Sequence, residues 1–128
     1  MADQKLILIV DDEPDFLEIF GAKLSAAGFR IETAANGEEG YQKAKALKPD
    51  LVLLDVKMPV LDGASALLKM REDPDTKNIT VLFLTSLIDP KTELEEMHQK
   101  ISQEMGAQGY IRKTTDLGNL VETVKRYL

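Results

Sequence analysis

The chain has 128 residues, 44% of them hydrophobic and 30% charged, with a formal net charge of −6 at pH 7. That is the make-up of one globular domain, long enough for a core and too short for two, and its acidic balance argues against a basic nucleic-acid-binding face. With no cysteine and a single histidine, His98, it can build no disulfide, no thiolate site and no histidine metal cluster.

The first residues, Met-Ala-Asp-Gln-Lys, lack the basic-then-apolar order of a secretory signal. No apolar run approaches the roughly 18 residues of a membrane span, so a cytoplasmic location is expected. Strand and helix signals then alternate five times. Leu6–Val10 is a wholly apolar strand ending at Asp11 and Asp12. Pro14 suits a first helical turn, and Phe16, Leu17, Phe20, Leu24 and Ala27 recur at helical spacing until Gly28. Phe29–Ala34 alternates, as a half-exposed strand does, and Asn36 caps a second helix that fades at Lys48-Pro49. Asp50–Asp55 is a buried strand, followed by a turn through Pro59 and a helix from Asp62-Gly63 to Pro74. Ile79–Thr85 is the fourth strand, with Ser86 after it. Asp89-Pro90 opens a fourth helix carrying Leu94, Met97, Ile101 and Met105. Gly109–Lys113 is a short fifth strand, and Leu117, Leu120, Val121, Val124 and Leu128 mark a fifth helix.

This pattern predicts an α/β fold: (βα)5, a doubly wound parallel five-stranded sheet with helices on both faces. The first, third and fourth strands are the apolar ones and belong inside, so the expected order is 2-1-3-4-5, as in flavodoxin-like sheets. The chain then reverses between the first and third strands, where Asp11, Asp12 and Asp55 converge.

Adjacent strands lie about 4.8 Å apart, and carboxylates that close repel unless a proton or cation relieves them. An all-oxygen set of acids suits Mg²⁺, a hard ion that keeps waters and shares a phosphate. Thr85 can give a hydroxyl hydrogen bond to a phosphoryl group there, and Lys113 can bring an ammonium to the same oxygens. Asp55 would be the carboxylate nucleophile, forming an aspartyl phosphate. Each of these residues has an ordinary structural reading, as a helix cap, a strand end or a solvated lysine; their convergence on one sheet edge is what favours chemistry.

Taken together, Ile-Val-Asp11-Asp12-Glu-Pro, Leu-Val-Leu-Leu-Asp55-Val-Lys-Met-Pro59 with Asp62-Gly63, Phe-Leu-Thr85-Ser86 and Tyr110-Ile-Arg-Lys113 resemble a response-regulator receiver domain of two-component signalling. The resemblance covers essentially all of residues 1–128, as a single domain. It implies that Asp55 is the phosphoacceptor and Asp12 a direct Mg²⁺ ligand. Asp11 would act beside the metal through water, and the backbone carbonyl of Lys57 would complete the protein ligands. Thr85 and Lys113 would hold phosphoryl oxygens, and Tyr110 would change its packing with Thr85. It also implies a sensor histidine kinase or phosphotransfer protein as donor. A downstream protein target would be met through the fourth helix, fifth strand and fifth helix, with no direct nucleic-acid or membrane contact and no turnover of a separate substrate. Lys57 and Leu87 would flank the path of hydrolytic water. Two departures from the family pattern stand out: Thr114 follows Lys113 where proline is common, and the stretch from Thr85 to Lys113 is longer than usual.

Three other functions fit less well. An aspartate-nucleophile phosphatase would have an acid where Lys57 stands. A flavin module would be repelled by Asp11-Asp12 and lacks a phosphate-binding loop. A passive interaction domain would have no use for Asp12, Asp55, Thr85 and Lys113 together.

Overall fold

A computed structural model describes residues 4–55, 63–85, 106–113 and 116–128. Nine elements follow in chain order: β1 (Leu6–Val10), α1 (Pro14–Ala26), β2 (Arg30–Ala34), α2 (Gly37–Leu47), β3 (Leu51–Asp55), α3 (Gly63–Glu72), β4 (Thr80–Thr85), β5 (Gly109–Arg112) and α4 (Leu117–Arg126). The helix expected between β4 and β5, with His98, lies outside the described residues, as do Lys57, Pro59, Asp62, Ser86, Leu87 and Thr114.

All pairings are parallel and the order is β2-β1-β3-β4-β5, as the apolar runs predict. Side chains of successive strand residues point to opposite faces, so strand parity assigns the core. Ile7, Ile9, Leu51, Leu53, Leu82, Leu84 and Ile111 meet Phe20 and Leu24 of α1 and Leu120 and Val124 of α4. Leu8, Val10, Val52, Leu54, Val81 and Phe83 meet Ala44 of α2 and Ala66, Leu67 and Met70 of α3. Two cores therefore back onto one sheet.

The expected strands at Phe29, Asp50 and Ile79 each begin one residue later, for local reasons. The Phe29 N–H is taken by Leu24 O in the turn that ends α1, and the Ile79 N–H by Thr76 O. Asp50 acts as a clip: its carboxylate accepts the Leu6 N–H at 2.8 Å and its own N–H donates to Leu6 O at 2.8 Å. The helix ends follow the expected chemistry. Asn36 Oδ1 accepts the Glu39 N–H at 2.8 Å to cap α2, and Gly28, at φ 102°, turns the chain out of α1.

Arg71, near the end of α3, ties down the far end of the sheet. Its guanidinium donates to Lys77 O and Ile79 O before β4 and to Gly106 O before β5, at 2.8–3.0 Å. Gln108 completes the join, its N–H donating to Val81 O and its Oε1 accepting the Val81 N–H.

α2 lies against β1 through Gly40, where an added Cβ would stand 2.8 Å from both methyl carbons of Val10. Valine has no flexible end to swing away, so α2 must lift. Overpacking of this kind costs ~1–3 kcal/mol, against ~1 kcal/mol gained in helix propensity by replacing glycine. Gly40→Ala is therefore expected to lower the urea midpoint with an unchanged m-value; an unchanged or raised midpoint would show that α2 does not sit this close.

α2 and the turn after α3 are joined by the Tyr41 hydroxyl, which donates to Asp73 Oδ2, and by Lys45, 3.1 Å from the same oxygen. The Tyr41 hydrogen bond, the Asp75 N–H and Lys45 hold the Asp73 carboxyl down at about 2. Since the folded value lies below the unfolded one, this contact stabilises the protein above pH ~4 and is lost as pH falls towards 2. In Tyr41→Phe the Asp73 side-chain carbon should titrate closer to an ordinary aspartate, and acid unfolding should begin at higher pH. An unmoved Asp73 midpoint would refute the link.

Candidate functional site

The register sets the site. Val10 pairs with Leu54 and Leu84 with Asp55, so Asp11, Asp55 and Thr85 reach the carboxyl edge of adjacent strands at one level. β5 ends at Arg112, one residue sooner than expected, but the Lys113 N–H still donates to Thr85 O at 2.8 Å. Parity then sorts the side chains. Asp11, Asp55 and Lys113 share the odd-numbered face with the α1/α4 core. Thr85 follows Val81 and Phe83 on the other face, where Tyr110 also packs.

Asp11 and Asp55 are buried, Asp12 is exposed, and one carboxylate oxygen from each lies within 4.8 Å of the others. Asp11 Oδ1 accepts the Glu13 backbone N–H at 2.9 Å. Its Oδ2 is 2.7 Å from Lys113 Nζ, close enough for charge pairing but off the direction of a hydrogen bond, and this buried oxygen has no hydrogen-bond partner among the described residues. Burial pushes the Asp11 carboxyl above the usual carboxylate range, against the pull of Lys113 and the Glu13 N–H. Lys113 feels burial in the opposite sense, yet Asp11, Glu13 and Asp55 hold its ammonium well above the ordinary lysine value. Its Nζ is 3.3 Å from Asp55 Oδ2 and 2.7 Å from Glu13 Oε1, and it stands 4.8 Å over the Phe16 ring.

These residues form a group able to hold a metal ion. Two buried acids, one solvent-facing acid and an oxygen in want of a partner make a hard-donor set that fits a divalent cation such as Mg²⁺. Asp11, Asp12, Asp55 and Lys113 come together as the sequence predicts, with Thr85 at the same edge and Tyr110 half-buried behind it. Lys57 lies outside the described residues. Sequence reasoning missed Glu13 and Phe16 as partners of Lys113. Glu13, two residues past Asp11, looks like an ordinary residue of the helix entry, and nothing local shows that Lys113 crosses 100 positions to reach it.

A parallel α/β sheet with acids and a lysine at its reversal point defines a phosphoryl- or cation-handling module. The sequence matches the response regulator receiver domain over residues 7–125, and the chain belongs to that family. It is 34% identical to Protein PilH of Pseudomonas aeruginosa over 122 residues, covering 95% of this chain and 96% of that protein. It is 31% identical to the DNA-binding dual master transcriptional regulator RpaA of Synechocystis sp., covering 95% of this chain but 48% of RpaA. The chain thus spans about half the length of several curated relatives it matches. Among solved structures, the chemotaxis protein CheY4 of Vibrio cholerae superposes with a TM-score of 0.84 at 28% identity, over 98% of this chain and 100% of that one. A putative response regulator from Chloroflexus aurantiacus gives 0.85 at 31% identity, over 98% of each chain. The fold is that of CheY-like, flavodoxin-like receivers. No helix among the described residues is long and apolar enough to cross a membrane.

Proposed function

We propose that residues 1–128 are one receiver domain, a cytoplasmic switch that accepts a phosphoryl group on Asp55 and passes the signal on by protein–protein contact. The observation that carries this is the buried Asp55 carboxylate, 3.3 Å from the Lys113 ammonium and grouped with Asp11 and Asp12. An Asp55 oxygen forms the new P–O bond as phosphorus parts from the donor, a phosphohistidine nitrogen of a sensor kinase or phosphotransfer protein. The leaving imidazole keeps the electron pair and can then take a proton from water. Asp11, Asp12, Asp55 and the Lys57 carbonyl would hold Mg²⁺, which when bound neutralises charge on the transferred group. Lys113 and the Thr85 hydroxyl stabilise the phosphoryl oxygens, and the buried setting strengthens both contacts.

Output follows from Thr85 and Tyr110 sharing a sheet face. Thr85 drawn toward the phosphoryl group would leave room for Tyr110 to turn inward, a two-state packing biased by one differential contact. The surface that reads it out would comprise the chain between β4 and β5, β5 and α4. RpaA is described as DNA-binding, but the acidic balance here points to a protein target, not to nucleic acid. Hydrolysis of the Asp55 phosphate is self-limiting chemistry, not turnover of a separate substrate.

Incubation with acetyl phosphate and Mg²⁺, followed by intact mass measurement, is expected to show one labile phosphoryl adduct that EDTA suppresses. Absence of an adduct, or one indifferent to EDTA, would refute the reading.

A further inference from the structure

The Lys113 ammonium has three N–H bonds, and three carboxylates surround it. It donates to Glu13 Oε1 at 2.7 Å and Asp55 Oδ2 at 3.3 Å, and meets Asp11 Oδ2 at 2.7 Å. The Phe16 ring covers another side, and the Lys113 side chain is 9% exposed. The ammonium is thus crowded by three carboxylates and a ring, and a phosphoryl oxygen gains room beside it when one carboxylate moves aside. Asp55 is the acceptor itself. Asp11 is fully buried and pinned through Oδ1 by the Glu13 backbone N–H. Glu13 differs: its side chain is 62% exposed, so its carboxylate can swing into water and be solvated at once.

We propose that Glu13 is a positioning residue, a releasable counter-ion that holds Lys113 in the unphosphorylated protein and yields it to the incoming phosphoryl oxygen. This rests on Asp55 being the phosphoacceptor. No covalent bond changes: one N–H···O contact is exchanged for another, and the Glu13 carboxylate goes to solvent. Because Glu13 competes for the lysine, it weakens engagement of any phosphoryl-like group and damps spurious activation by small donors. Its side chain makes no capping hydrogen bond to α1, so its removal leaves the helix entry intact.

The test uses beryllium fluoride with Mg²⁺ as a non-transferable phosphoryl mimic, titrated by NMR into wild type, Glu13→Ala, Glu13→Asp and Glu18→Gln. Glu13→Asp keeps the charge but shortens the reach, and aspartate at this helix entry is drawn to the helix N–H groups. Glu18→Gln, on the exposed side of α1, changes net charge as Glu13→Ala does without touching Lys113. Both Glu13 variants are expected to lower the half-saturating concentration about threefold, the scale of one partly exposed ion pair, with Glu18→Gln unchanged. In the absence of the mimic, the Lys113 ammonium protons should exchange with water faster in both Glu13 variants. Overturning outcomes are a Glu13→Asp protein that matches wild type, which would leave only a general charge effect, or a Glu18→Gln protein that shifts as Glu13→Ala does. If wild type shows no Mg²⁺-dependent binding, or Asp55→Asn binds equally, the phosphoacceptor reading itself fails. Binding that is normal in wild type and unaltered at Glu13 sinks this inference alone.

Discussion

Asp55→Asn is expected to abolish the base-labile phosphoryl adduct while leaving the protein folded. The amide is nearly the same size as the carboxylate, and its oxygen can still accept from Lys113, which stands 3.3 Å away. It has lost the negative charge that makes a carboxylate oxygen nucleophilic toward phosphorus, and it is a poor ligand for a hard cation. Neither other acid of the described cluster replaces it: Asp11 is buried and faces Lys113, while Asp12 belongs to the solvent-facing side of the group. Labelling by acetyl phosphate should therefore fall to background, with the thermal transition preserved. Full labelling of the variant would mean that the acceptor lies elsewhere.

The second large effect concerns the metal. Asp12→Ala should weaken Mg²⁺ binding by more than about tenfold, the lower range seen for losing groups that merely support a ligand. Its second consequence has the opposite sign. Three carboxylates within 4.8 Å repel one another, and Lys113 offers them one positive charge. Removing the exposed one should raise metal-free stability. Solvent screens Asp12, so the relief is held to about 1 kcal/mol, or roughly 3–5 °C in Tm at this size. Calorimetry with and without Mg²⁺ checks both halves: wild type should gain stability from the ion, and Asp12→Ala should start higher and gain little. Unchanged Mg²⁺ affinity in the variant would remove Asp12 from the site.

Much of this was legible in the sequence because it depends on short-range rules. Uniformly apolar Leu6–Val10 and Leu51–Leu54 read as strands buried on both faces, and that places them inside the sheet and their terminal acids at its reversal point. Parity within each strand then carries Asp11 and Asp55 to one face. What stayed hidden depends on separation in the chain and on side-chain reach. Glu13 beside Lys113, Tyr41 beside Asp73 and Arg71 beside Gly106 are pairings of unlike elements, with no periodicity to announce them. The one-residue differences at Phe29, Asp50 and Ile79 have another origin: backbone groups there were claimed by turns and by the Asp50 clip, which hydropathy does not record.

The knot that Arg71 and Gln108 tie around Gly106 and Val81 bears on how this chain could diversify. It lies at the opposite end of the sheet from Asp55 and fixes where the polypeptide re-enters after its excursion from β4. From that anchor to Lys113 the path is short and bound to β4 along its length. Insertions or deletions in the excursion are thus uncoupled from the distance between lysine and aspartate. The connection between β4 and β5 can drift in length and composition from one lineage to the next, while the lysine keeps its place.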